Sequence, residues 1–553
     1  MKSLNMENIN HSGKSVRLLL RRSVRCIRTN QFDDAIKFID EVLERQPENK
    51  RANALKFTAY YMSKQYEKAR LVGSKAASLN PKSEYILNNH ACLQLNKGFA
   101  QEAEGLLDSL VIERGENSQW LYNLGLAHAQ LGKYELAIDT FNRVLDIEPS
   151  YYRALLQRAS VELKLGLHES AYQTLNILRF ITKNQHTSGA SHIFHGIRFN
   201  QLDQESLQQE IAIWGDQYIP KSRAYENKPI DTTKPYKLGF VVGAIPKLEW
   251  NTIVWPLINE LAKNEHQVSV YWHQTGILPI AESSNISIKN CRKVSDADFA
   301  RLCREAENDF LIDIGGMHTL TRERTFGINL ANKQFAWLTH AGIFSTALME
   351  SLDEKLGTYR FAVVAKTVQT KQENNPSNKM PRNAIAAIGC EAGLSLKTVK
   401  TWSKILKQSS KKLALDVHQE AIQQQLLKRF ALYGIDQKQI TFVTDIEFKP
   451  GHIVLENLDY NAIAKASQAV ISGANVITMS GELFPAQRTA NLLQHIGKKD
   501  WVCDNEHQYI ATVLDLIDSK YKNSKIKSQI KSSEIENISN FAEHFLTTLT
   551  KTI

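Results

Sequence analysis

The stretch YNLGLAHAQLGKYELAIDTFNRVLDIEP, residues 122–149, decides the fold of the first half of the chain. It carries a glycine at 132, an aromatic at 134, an alanine at 137 and a proline at 149. Read outward in steps of 34, the same marks return. Ala35, Ala69, Ala103, Ala137 and Ala171 keep the period without a slip. Pro47, Pro81 and Pro149 keep it too, with Gly115 in the remaining slot. Phe32, Tyr66, Tyr134 and His168 hold a third position, which Ala100 breaks, and Gly132 and Gly166 mark a turn two residues earlier. A small residue lets two antiparallel helices approach closely, and an aromatic beside the turn fills the wedge between them. Proline stops the second helix and turns the chain into the next pair. One such hairpin cannot bury its own apolar face, so the pairs must stack. About five pairs, over residues 16–184, meet that need.

This pattern resembles the tetratricopeptide repeat. Such stacks curl into a superhelix whose concave face is lined by the first helix of each pair. One position on that helix reads Arg21, Leu55, Asn89, Asn123, Gln157. An amide side chain both donates and accepts, so Asn89, Asn123 and Gln157 are candidates to hold the backbone of an extended polypeptide. The same residues also read as a solvated polar helix face.

At 553 residues the chain is too long for one core. Its 43% hydrophobic and 23% charged residues are those of an ordinary globular protein. A net charge of +10, from 68 basic and 58 acidic residues, is a mild excess suited to an acidic partner or an anionic ligand. No basic stripe is interleaved with aromatics, so nucleic acid is not an expected partner. Cys26, Cys92, Cys291, Cys303, Cys390 and Cys503 include no CxxC pair, which argues against a zinc site. Scattered single cysteines suit a reducing, cytoplasmic compartment. The apolar run 16–20 lacks the marks of a signal peptide, and no stretch approaches a membrane span.

Past a polar, turn-rich connector at 185–235, strand-like and helix-like runs alternate. Strands are expected at 237–242, 267–273 and 310–314, with helices at 252–263 and 296–306. After a polar break at 370–383 the series resumes. It has helices at 396–407, 419–433, 462–471 and 485–496, and strands at 412–417, 439–443 and 475–479. Alternation of this kind implies parallel sheets covered on both faces. The expected fold class is therefore α + α/β: an α-solenoid, then two Rossmann-like lobes at 236–383 and 384–530 and a C-terminal helix at 531–553. Ligands of such sheets bind beyond the carboxyl ends of the strands.

The segments, in order, resemble the catalytic region of O-linked N-acetylglucosamine transferases, a two-lobed GT-B fold that also follows tetratricopeptide repeats. KLGFVVG (237–243), DFLIDIGG (309–316), WLTHAG (337–342), WSKILK (402–407), GIDQKQITFV (434–443) and GANVITMSGE (473–482) carry the resemblance. It fails where that family does its work. The family's histidines after the first strand are replaced by IPKLEWNT (245–252), and its donor-binding lysine by Gly393, beside Ala392 and Leu394. Its N-G-H-T-T-G-x-D run, which holds sugar-nucleotide phosphates at a helix start, reads NAIAKASQ (461–468). Only Asn461 survives; Ile463 stands for the histidine, Ala464 and Lys465 for the threonines, and Gln468 for the ribose-binding acid.

The resemblance thus implies donor-site candidates at Asn461, Lys465, Gly481, Glu482 and Arg488, with a UDP-sugar as substrate if the site is active. His318 and His340, in loops after strands, are the candidate catalytic residues, and Asp313 reads as structural. The leading expectation is a protein-binding adaptor or regulatory subunit with weakened or lost donor chemistry, serving a polypeptide and a partner transferase subunit. The alternatives are an active protein O-glycosyltransferase acting on Ser or Thr, and an enzyme of carbohydrate or envelope assembly with another donor.

Overall fold

A computed structural model describes residues 3–181, 186–198, 201–218, 228–243, 245–274, 277–314, 322–327, 330–338, 350–351, 380–381, 383–390, 394–443, 446–459, 461–481, 486–518 and 537–551. Its two compact units are Met1–Val161 and Glu162–Ile553.

The first unit is a run of helix pairs: Ser3–Arg28 with Phe32–Arg45, Lys50–Met62 with Tyr66–Leu79, Glu84–Leu95 with Ala100–Arg114, and Ser118–Gln130 with Tyr134–Ile147. The periodic alanines explain the close approach, since Ala35, Ala69, Ala103 and Ala137 are wholly buried. Asn49 and Asn117 open the second and fourth pairs by accepting hydrogen bonds from backbone N–H groups of the first turn. Helices also touch closely at Gly125, where an added Cβ would lie 2.5 Å from the Phe141 ring. Gly125→Ala is expected to destabilise the unit by about 1–3 kcal/mol, read as a lowered urea midpoint. An unchanged midpoint would mean that this helix pair is not held as tightly as drawn.

The second unit departs first from expectation at 185–235. That stretch carries helices His186–Arg198 and Gln204–Tyr218. Their apolar residues Ile193, Ile197, Leu207, Ile211 and Trp214 bury one another between polar neighbours, a helical spacing that polar composition concealed.

Two six-stranded sheets follow. In the first, β1 (Lys237–Val242), β2 (Gln267–Trp272), β3 (Ile286–Asn290), β4 (Phe310–Asp313), β5 (Lys333–Ala336) and β6 (Glu350–Ser351) run parallel in the order β3-β2-β1-β4-β5-β6. The second holds β7 (Ala384–Ile388), β8 (Lys412–Asp416), β9 (Ile440–Val443), β10 (Ile453–Glu456), β11 (Asn475–Met479) and β12 (Val502–Cys503). They also run parallel, in the order β12-β11-β10-β7-β8-β9. Strand order reverses between β1 and β4 and between β7 and β10, the switch points where a crevice opens. Strands β3, β5, β6, β7, β10 and β12 are additional to the sequence reading. They are short, at two to five residues, and too brief for periodicity to reveal.

One apolar core runs from the first sheet into the second, from Leu238 and Phe240 to Val454 and Val476. The chain's last helix, Ile538–Thr550, packs on the first lobe. Phe545 lies 6.4 Å from Phe240 and 5.1 Å from Trp337, centroid to centroid.

Candidate functional site

The carboxyl ends of β7, β8, β10 and β11 bring Ile388, Asp416, Glu456 and Met479 to one edge of the second lobe. Facing them, helices Leu396–Lys407, Ile463–Ile471 and Arg488–His495 begin. In this fold a ligand phosphate would meet those helix starts.

Lys465 lies in the first turn of Ile463–Ile471, and its ammonium is committed. Nζ donates to Asp416 Oδ2 at 2.5 Å. The Asp416 side chain is 2% exposed and the Lys465 side chain 19%. His418 Nε2 lies 3.6 Å from the other Asp416 oxygen. The cation that the sequence placed near phosphates therefore answers a buried carboxylate of its own lobe.

Asn461 is fully buried and bonded on both sides. Its amide nitrogen donates to Glu456 Oε2 at 3.0 Å, and its oxygen accepts from the Thr489 N–H at 3.0 Å. Glu456, wholly buried, also accepts from the hydroxyls of Thr489 at 2.7 Å and Thr478 at 2.8 Å. Burial pushes its carboxyl up to about 7 from an ordinary 4.5, against the pull of those hydroxyls and of the Ala462 N–H. This network ties β10 and β11 to two helix starts.

Arg488 is 1% exposed and donates to the Leu338 carbonyl, beyond β5 of the first lobe, at 2.9 Å. It joins the lobes through their shared core. Gly481 has its N–H on the Ala486 carbonyl and its own carbonyl on Gln487 Nε2. At the β7/β10 switch point Asp459 is buried. Thr398 donates to it at 3.0 Å, Asn457 Oδ1 accepts from its backbone N–H, and burial raises its carboxyl.

In the first lobe, the stretch that lacks histidines turns through Lys247–Glu249 and a wide helical turn, Trp250–Val254. Trp250 fills the space with its ring 5.0 Å from Trp272 and 5.4 Å from Trp255. Asp313 ends β4 at 1% exposure. His318, His340 and Glu482 lie outside the described residues.

Of the amide candidates on the repeats, Asn89 and Gln157 are half-buried. Asn123 is 4% exposed and spends its amide internally, donating to Asn88 Oδ1 at 2.8 Å and contacting Cys92 Sγ at 3.2 Å. It differs in this from the solvent-facing amide the sequence position implied, because its helix packs that face against the preceding repeat.

Asp416, Glu456 and Asp459 are the site residues that sequence reasoning passed over. Their signal was a carboxylate at or just after the end of an apolar strand, visible in KLALD and IVLE.

These features define a class: tetratricopeptide repeats ahead of a two-lobed α/β unit. The tetratricopeptide repeat family matches residues 27–84 and 88–152. No curated protein sequence matches the chain. Among solved structures, a mutant O-GlcNAc transferase from Thermobaculum terrenum aligns with a TM-score of 0.63 at 16% identity, over 84% of this chain and 98% of that one. The chain thus has the architecture of an O-GlcNAc transferase, a likeness of fold. Other matches cover smaller shares of the chain. MamA from Desulfovibrio magneticus aligns at 18% identity over 31% of this chain and 97% of its own, with a TM-score of 0.28. A tetratricopeptide repeat protein from Parabacteroides merdae aligns at 21% over 37% and 81%, with a TM-score of 0.31.

Proposed function

We propose that this chain is an adaptor or regulatory subunit in protein glycosylation. It holds a polypeptide on its repeats, and its glycosyltransferase-type unit has lost, or much weakened, donor chemistry. The observation that carries the reading is the Lys465–Asp416 pair. It takes up the cation best placed to meet a diphosphate, balancing that charge within the lobe. A hydrogen bond to a charged group contributes about 1.5–3 kcal/mol. Two or three of them missing weaken a donor by roughly 4–7 kcal/mol, or thousands-fold. The burial of Asn461 within the Glu456 network supports the same reading.

The six cysteines, all free thiols, accord with a reducing cytoplasm. Among the described residues no helix is long and apolar enough to cross a membrane. A partner transferase subunit would supply the chemistry.

Calorimetric titration of the full chain with UDP-N-acetylglucosamine, UDP and other nucleotide sugars tests the reading. No binding tighter than about millimolar is expected. Micromolar binding that Lys465→Ala abolishes would sink it. That outcome would favour an active transferase moving a sugar to Ser or Thr of the held polypeptide.

A further inference from the structure

The first helix, Ser3–Arg28, buries Val16, Leu19, Leu20, Ser23 and Ile27 along one face. Arg17, Arg21, Arg25 and Arg28 are all exposed. At 100° per residue these four fall within an arc of about 80° on the side away from the buried row, over about 17 Å of helix. The ion pairs of the neighbouring helices close among themselves: Asp34 with Lys37, Glu41 with Arg45, Asp40 with Lys56. Among the described residues none of the four arginines meets a carboxylate. A fifth, Arg22, lies off the row, over the Phe38 ring at 5.8 Å. Arg51, one repeat period after Arg17 and exposed, carries the charge onto the next repeat.

Holding these charges in line has a cost. Like charges at i,i+3 and i,i+4 weaken a helix by about 0.2–0.5 kcal/mol per pair. Arg17–Arg21, Arg21–Arg25 and Arg25–Arg28 are three such pairs. A polyanion laid along the row would reverse that cost.

We infer that this arginine row is the docking surface for an acidic, extended segment of a polypeptide partner, with carboxylates at alternate residues. Spacing and surroundings select this occupant. Arg17, Arg21 and Arg25 step about 6 Å along the helix axis. Same-side residues of an extended chain step about 6.6–6.8 Å, close enough for successive carboxylates to meet successive guanidinium groups in paired hydrogen bonds. Over residues 15–28, where its side chains are described, this helix carries no aromatic side chain for stacking a nucleic-acid base. Among its described residues the one large exposed apolar side chain, Leu18 at 50%, is too little to enter a bilayer. The inference rests on the reading of the repeats as polypeptide-holding, but uses charges rather than the amide positions.

The test uses the full chain and a fluorescein-labelled peptide of alternating glutamate and serine, followed by anisotropy. Single-stranded RNA and phosphatidylserine vesicles run beside it. The peptide is expected to bind at about 50 mM salt and to weaken steeply by about 300 mM, as a screened surface interaction does. Combining Arg17→Gln, Arg21→Gln, Arg25→Gln and Arg28→Gln is expected to weaken it at least about tenfold without lowering the thermal midpoint. The corresponding Arg→Lys variant keeps most of the binding. No peptide binding at low salt, equal binding by the Gln variant, or tighter binding of RNA or vesicles would each overturn the inference. Failure here with a silent nucleotide-sugar titration removes the arginine row and leaves the adaptor reading standing. A titration that binds donor overturns that reading whatever the peptide does.

Discussion

Replacing Glu456 with alanine is expected to remove about 4 kcal/mol of stability from the second unit. The carboxylate serves the hydroxyls of Thr478 and Thr489, the Asn461 amide and the Ala462 N–H, all in the interior. Each donor left without a partner costs about 1–3 kcal/mol, and only part returns as the buried carboxylate's own desolvation is relieved. Glu456→Gln keeps an acceptor in place and is expected to lose less than half as much. Urea unfolding followed by far-ultraviolet dichroism measures both. Equal losses would mean that volume, and not the donors, sets the cost.

The same residue predicts a pH signature. Its folded value is about 7 against an ordinary 4.5, so between those limits the native state holds a proton the unfolded chain has released. Stability from this group is therefore full below about 4.5 and falls as pH rises toward 7, at about 1.4 kcal/mol per unit. His192 and His273 act the other way. Burial lowers them to about 3 and about 4, so their contribution is full above about 6.5 and falls as pH drops toward those values. The difference between wild type and Glu456→Gln isolates the first effect. It is expected to grow in favour of wild type by roughly 3 kcal/mol from pH 7 to 4.5.

Trp337→Ala is the second large effect, with an expected loss of about 3–5 kcal/mol. The indole is 1% exposed and lies against Phe541 and Phe545, which anchor the helix Ile538–Thr550 on the first lobe. The void opens under that helix, so its amides should exchange with solvent well before those of β1 and β4. Uniform exchange across the unit would show that the helix is not a separable layer.

The repeats were legible because their cause is local and periodic. A small residue every 34 positions and a proline or glycine at second-helix ends act within one hairpin, and Ala35, Ala69, Ala103 and Ala137 are buried as that pattern requires. Parallel sheets were legible from alternation, and strands such as 237–242 and 475–479 stand at the expected places. The pair of helices after residue 185 was not, because eight or so apolar residues are diluted among polar ones there.

The site divides the same way. By itself the sequence carried the resemblance, and with it the expectation that other residues stand where the resembled family has its phosphate-holding hydroxyls and histidines, since that reading depends only on which residues occupy aligned places. Only the tertiary structure decided what the remaining polar groups do. Lys465 and Asp416 stand 49 positions apart, and Glu456 meets Thr489 across 33. The order of strands β8, β7, β10 and β11 brings such groups to one edge, and no local pattern encodes that order. Buried charges choose partners by proximity and desolvation, which come into being only once the sheet has formed.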